Sequence, residues 1–170
     1  MRDEDVPGTD ASSPDSSSTL LALLGTSVDD GAVERYVKSL GMRLKNKELK
    51  RFPPECVYVN HKSAGLSLCY ESGVLDAIHV YAARVDGFLG FKGEVPWGVT
   101  LCDDESGDKQ RTTGKSIVEK LGEPSAKGNT GGFVFLQYHA LGVKFDLESS
   151  DWENAEAKVR CVSLWKANAV

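Results

Sequence analysis

Gly87-Phe-Leu-Gly-Phe-Lys-Gly-Glu-Val-Pro-Trp-Gly-Val-Thr-Leu101 is the stretch whose reading decides the fold. It is dense in glycine and aromatic residues, has no helical or strand period, and separates two halves of similar pattern. It reads as the joint of an internal duplication.

Upstream of the joint, Val33, Tyr36, Val37 and Leu40 fall on one helical face, with Asp29 or Asp30 as the cap and Gly41 as the stop. A basic, irregular stretch closes on Pro53-Pro54. Three strands follow: Val57-Tyr58-Val59, then Leu66 to Tyr70 opened by Gly65, then Val74 to Ala82 after a turn at Ser72-Gly73. In the third, Ile78 and Val80 share one face while Ala77, His79 and Tyr81 share the other. A short helix over Leu20 to Leu24 precedes all of this.

Downstream the order returns. Val99 to Leu101 reads as a short strand, and Asp103 to Thr113 as a polar, acidic loop. Ser116-Ile-Val-Glu119 reads as a capping box that opens a helix, and Gly122 and Pro124 end that helix. Strands are then expected over Phe133 to Tyr138, from Gly142 through Leu147, and over Lys158 to Trp165. Leu40-Gly41 answers Leu121-Gly122, and Gly65-Leu-Ser-Leu68 answers Gly142-Val-Lys-Phe145. Ile78, Val80 and Tyr81 answer Val162, Leu164 and Trp165. The expected fold class is therefore α+β: two tandem repeats, each of short helices packed on an antiparallel β-meander. Repeat 1 spans 19–86, the joint 87–101 and repeat 2 102–170, after a disordered acidic tail over 1–18 that is too poor in apolar residues to order itself.

The run Lys120-Leu-Gly-Glu-Pro124, an aromatic strand, Gly142-Val-Lys-Phe-Asp146 and a closing apolar strand resemble the repeat unit of beta-lactamase-inhibitor-protein-like domains. The SmpA/OmlA-type outer-membrane assembly lipoproteins are built from a similar unit. Gly90-Phe-Lys-Gly-Glu-Val-Pro-Trp-Gly98 also resembles a phrase in small toxin-immunity-type proteins. The resemblance implies helices on a meander, twice over, and another protein bound on the sheet face. It carries no inhibitory residue over by position.

Composition bounds the rest. Among 170 residues, 41% hydrophobic and 26% charged are the proportions of a globular chain that can bury a core. The net charge is −5, but residues 1–18 carry Asp3, Glu4, Asp5, Asp10 and Asp15 against Arg2 alone, so the body is nearly neutral. A nearly neutral body lacks the basic surface that nucleic acid requires. No apolar run reaches the ~20 residues of a membrane span. Cys56, Cys69, Cys102 and Cys161 are widely spaced, which suits free thiols and a cytoplasmic setting.

Catalytic signatures fail one by one. Thr113-Gly-Lys-Ser116 resembles the end of a P-loop, but Lys109 stands where its first glycine belongs. Asp103, Asp104, Glu105 and Asp108 do not fit an EF-hand, because Asp108 occupies the glycine position and Gly114 the glutamate position. His61, His79 and His139 show no metal-ligand spacing, and Cys56 with His61 would make at best a bare dyad. No cofactor is expected. The residues best suited to hold a partner are His79, Tyr81, Phe91, Trp97 and Trp165, as rings on an uncovered sheet face or in the joint. Their alternative role is to fill the seam between repeats. The expected function is a non-enzymatic, inhibitor- or immunity-like protein-binding domain. The alternatives are a small-ligand-binding domain or weak enzyme with a pocket at the repeat junction, or an inactive structural subunit.

Overall fold

Alternation of apolar and polar side chains gives every central strand one greasy face, and that face sets the architecture. The computed structural model describes residues 19–168, so the acidic tail expected over 1–18 lies outside them. Eight strands form one antiparallel sheet. Its strands are β1 (Glu48–Phe52), β2 (Cys56–His61), β3 (Leu66–Glu71), β4 (Val74–Tyr81), β5 (Ala126–Thr130), β6 (Phe133–Tyr138), β7 (Val143–Leu147) and β8 (Val159–Trp165), in the spatial order β1-β2-β3-β4-β8-β7-β6-β5. Three short helices, α1 (Leu20–Leu23), α2 (Ala32–Ser39) and α3 (Gly114–Leu121), complete the α+β fold.

The helices lie on one side of the sheet. Leu20 and Leu23 of α1, Val33, Tyr36 and Val37 of α2 and Ile117 of α3 join one buried cluster with Ile78, Val80, Val162, Leu164 and Phe145. The last five side chains point to the same face of three adjacent strands, β4, β8 and β7, so β4 and β8 form the spine of a single core. Their pairing aligns Ile78 with Leu164, His79 with Ser163 and Val80 with Val162.

Several expectations need correction. The basic stretch before Pro53 is the edge strand β1, and a second edge strand, β5, follows α3. Val99 to Leu101 is not a strand: Val99 makes an isolated bridge to Val95, and its apolar side chain and that of Leu101 serve the core. Helix α2 begins after Gly31, at φ 72°, without a side-chain cap, and Asp30 instead pairs with Arg35 at 2.9 Å. In α3 the cap lies three residues before the expected one. Thr113 is the N-cap, and Ser116 returns the capping-box bond from the third helical position. The turn at Ser72-Gly73 has positive φ at both residues, which suits a two-residue hairpin loop.

Gly65 and Gly142 each follow one turn of 3-10 helix and open β3 and β7 in the left-handed region, at φ 67° and 65°. A Cβ would strike the backbone at either place, against the Leu89 carbonyl or the Trp165 carbonyl. The glycines let a second segment pass against the strand start.

Candidate functional site: the open face of the sheet

Because successive side chains alternate, the residues between the core positions all point away from the helices. The ladder registers align them in rows. One row crosses all eight strands: Glu48, Asn60, Ser67, His79, Ser163, Lys144, Gln137 and Ala126 stand side by side from β1 to β5. The middle of this row is bonded. The Ser67 hydroxyl donates to Asn60 Oδ1 at 2.6 Å, His79 Nδ1 and Ser163 Oγ share a hydrogen bond of 2.7 Å, and Lys144 Nζ pairs with Asp146 at 3.1 Å.

Rings flank the row. One flanking row runs from Lys50 through Tyr58, Cys69 and Ala77 to Trp165. The other runs from Tyr81 through Cys161 and Asp146 to Phe135. Phe52 meets Tyr58 edge-on with centroids 5.5 Å apart, and Tyr58 lies nearly parallel to the His79 ring at 6.1 Å. Tyr81 stacks on Phe88 at 4.0 Å. The guanidinium of Arg160 sits 3.6 Å from the Phe133 centroid, and the ammonium of Lys144 lies 5.0 Å from Phe135.

Residue size gives this face relief. Small side chains, Ser67, Cys69, Ala77, Cys161 and Ser163, form the floor, and the rings stand up at either side. One depression of about 650 Å³ is bounded by Phe52, Tyr58, His79, Tyr81, Phe88 and Lys62. Burial pulls His79 below the ordinary imidazole range, with Asp146 opposing and Lys144 reinforcing that shift. Burial pushes the Tyr58 phenol up to about 12 and raises Tyr81 further. Both effects favour the neutral forms of these side chains.

Of the expected partner-binding residues, His79, Tyr81 and Trp165 share this face. Phe91 and Trp97 do not. Phe91 is 4% exposed and belongs to the core cluster, close to Tyr36 of α2. Trp97, at φ 59°, packs against that cluster from the helix side, and its carbonyl accepts from Lys120 Nζ at 2.7 Å. Phe52, Tyr58 and Phe135 extend the face beyond the residues expected. Tyr58 was accessible from the alternation of Val57-Tyr58-Val59, whereas Phe52 sits on an edge strand with no apolar pattern.

The junction beside Trp97 holds a depression of about 420 Å³ with Arg111 and Lys120 in its lining. Both cations are already engaged. Arg111 makes two bonds to Glu148, at 2.7 and 3.1 Å, and one to the Val159 carbonyl at 2.7 Å. At the start of α3 the amides of Gly114 and Lys115 donate to Ala157 and Ala155, and the Ser116 amide donates to Thr113. An anion would find no free amide there.

Chemistry elsewhere is equally constrained. Cys56 lies on the open face and His61 is buried, 4% exposed, on the helix side, so the two cannot form a dyad. Ser163 and His79 touch, but β8 is paired on both sides, so its own amides are spent in the ladder. Among the described residues, no group of three or more His, Cys, Asp or Glu side chains could hold a metal ion, and no helix is long and apolar enough to cross a membrane.

No family model, characterised protein or solved structure matches this chain.

Proposed function

We propose that this is a non-enzymatic binding protein that receives a segment of another protein on the open face of its sheet. The observation that carries this is the polar row through His79 and Ser163, bordered by rings and left uncovered by the helices of the described residues. Aromatic side chains that are rigid, amphipathic and already packed against one another lose little entropy on contact, which is why they anchor interfaces. Cations and acids pair across the face, Lys50 and Lys62 with Glu48, Lys144 with Asp146 and Arg160 with Asp86, so the fitting occupant is a mixed peptide surface. A polyanion does not suit that balance. The same balance disfavours nucleic acid and anionic membrane as partners, and four cysteines without a disulfide suit the cytoplasm.

We further infer that the sheet descends from two tandem repeats, over 19–86 and 102–170, joined by 87–101. Six strand residues, three residues of 3-10 helix and a left-handed glycine occur in that order in β2–β3 and again in β6–β7. The strand order reads outward from β4 and β8 as the same meander on both sides. A two-fold axis through the His79–Ser163 pair would exchange Tyr81 with Trp165 and Tyr58 with Phe135. Such a paired arrangement suits the beta-lactamase-inhibitor-protein-like unit that the sequence resembles.

The test is capture of a partner from native lysate by the full chain, compared with Phe52→Ala/Trp165→Ala and with Leu21→Ala on the helix side. The double variant should retain its fold and lose the same captured protein by about tenfold or more, while Leu21→Ala captures it normally. Equal capture by all three, or loss only with Leu21→Ala, would remove the open face as the site.

A further inference from the structure

We propose that Cys56 and Cys69 form a dithiol site that is oxidised by a hydroperoxide to a reversible intramolecular disulfide. The two thiols lie on adjacent strands of the open face with their sulfurs 3.3 Å apart. Register explains the approach. Tyr58 stands opposite Cys69, and Cys56 is two residues before Tyr58, so the thiols are diagonal neighbours on one face. A bulge at Cys69/Tyr70 locally departs from regular pairing with β4. A bond of roughly 2.05 Å requires the sulfurs to close by about 1.3 Å, and the diagonal placement, with Cα atoms about 7–8 Å apart, requires the backbone at the bulge to move with them.

The two cysteines are unequally placed, which assigns the order of events. Cys56 is half-exposed and borders the depression beside Phe52 and Tyr58. Cys69 is 7% exposed, and burial, reinforced by its hydrogen bond to Cys56, pushes its thiol up to about 11. The oxidant therefore meets Cys56 first. The Cys56 thiolate attacks the terminal peroxide oxygen, the O–O bond breaks, and the alkoxide leaves and takes up a proton as alcohol. The Cys69 sulfur then attacks the sulfur of the Cys56 sulfenic acid. The S–S bond forms, the S–O bond breaks, and hydroxide leaves with the Cys69 proton as water. Two thiols lose two electrons and two protons, and the hydroperoxide becomes alcohol and water. The remaining cysteines are placed differently: Cys102 faces the Phe91 carbonyl at 3.8 Å, and Cys161 is buried with its thiol pushed up to about 12. The chemistry needs no docked protein, so it stands or falls apart from the binding proposal.

The test treats the folded full chain with hydrogen peroxide, quenches by denaturing alkylation, and maps the cysteines by mass spectrometry. The expected product is a Cys56–Cys69 cross-link lighter by two hydrogens, reversed by dithiothreitol, with Cys102 and Cys161 still alkylated. Cys69→Ser should abolish the cross-link and leave a dimedone-reactive sulfenic acid at Cys56. Cys56→Ser should leave Cys69 unoxidised. Cross-links between molecules, sulfinic acid at Cys56 in the unsubstituted protein, or oxidation of Cys102 while Cys56 and Cys69 stay free would each overturn the proposal.

Discussion

His79 of β4 and Ser163 of β8 face one another across the centre of the sheet, with Nδ1 and Oγ 2.7 Å apart. That hydrogen bond ties the side chains of β4 and β8 at the centre of their pairing. Ser163→Ala should leave a half-buried imidazole nitrogen without its partner and cost about 1 kcal/mol in denaturant unfolding. A loss well below that value would mean that water replaces the hydroxyl.

The pH dependence has a defined sign. Burial lowers both His61 and His79 from 6.5, so the folded chain binds fewer protons than the unfolded chain just below that value. Stability is therefore fully present above about pH 6.5 and falls as pH drops through the window between 6.5 and the lower folded values. The melting temperature should decline on acidification in that window, and His79→Gln should decline less steeply than the unsubstituted chain.

The two left-handed glycines should behave alike. Gly65→Ala and Gly142→Ala each place a Cβ against backbone at positive φ, and each should cost roughly 2 kcal/mol or more. By contrast Gly107→Ala, at φ 77° with no neighbour within 4 Å, carries the backbone penalty without the collision and should cost less. Thermal denaturation of the three variants separates the two contributions.

Loss of the α3 cap is a smaller effect. Thr113→Ala removes the acceptor for the Ser116 amide and one half of the capping box, and should cost about 1 kcal/mol. Phe145→Ala, which empties a fully buried site on β7, should cost about 3–5 kcal/mol. Chemical denaturation should rank the two in that order.

What the sequence made legible follows from packing. The strands that carry the core alternate apolar side chains over most of their length, interrupted by bulges at Cys69/Tyr70 and Asp146/Leu147, so β2, β3, β4, β6, β7 and β8 and the facing of His79, Tyr81 and Trp165 could be read directly. Edge strands escape that logic. Glu48-Leu-Lys-Arg-Phe52 is exposed at every position, and Ala126-Lys-Gly-Asn-Thr130 contains residues poor in strand preference. Main-chain pairing holds both in place, and side-chain pattern does not report it. The joint has no period at all, so Phe91 and Trp97 could not be assigned to the helix side before their neighbours were known. The apolar Val99 and Leu101 resembled a strand because they serve the core, although their backbone pairs only at one bridge.

Phe52 is the most informative surface ring. It is 52% exposed, touches Tyr58 edge-on, and borders the depression. Phe52→Ala should shift stability by less than about 1.5 kcal/mol, the worth of an aromatic pair, yet weaken partner binding by more than that. Isothermal titration against the purified partner, beside a denaturation curve, compares the two numbers.

The most direct measurement is hydrogen–deuterium exchange and hydroxyl-radical footprinting of the full chain with and without its captured partner. Binding on the open face predicts protection of the Phe52, Tyr58, Tyr81, Phe135 and Trp165 side chains, with α2 and α3 unchanged. Protection confined to the helices or to the Trp97 junction, with those five rings as reactive as in the free chain, would contradict it.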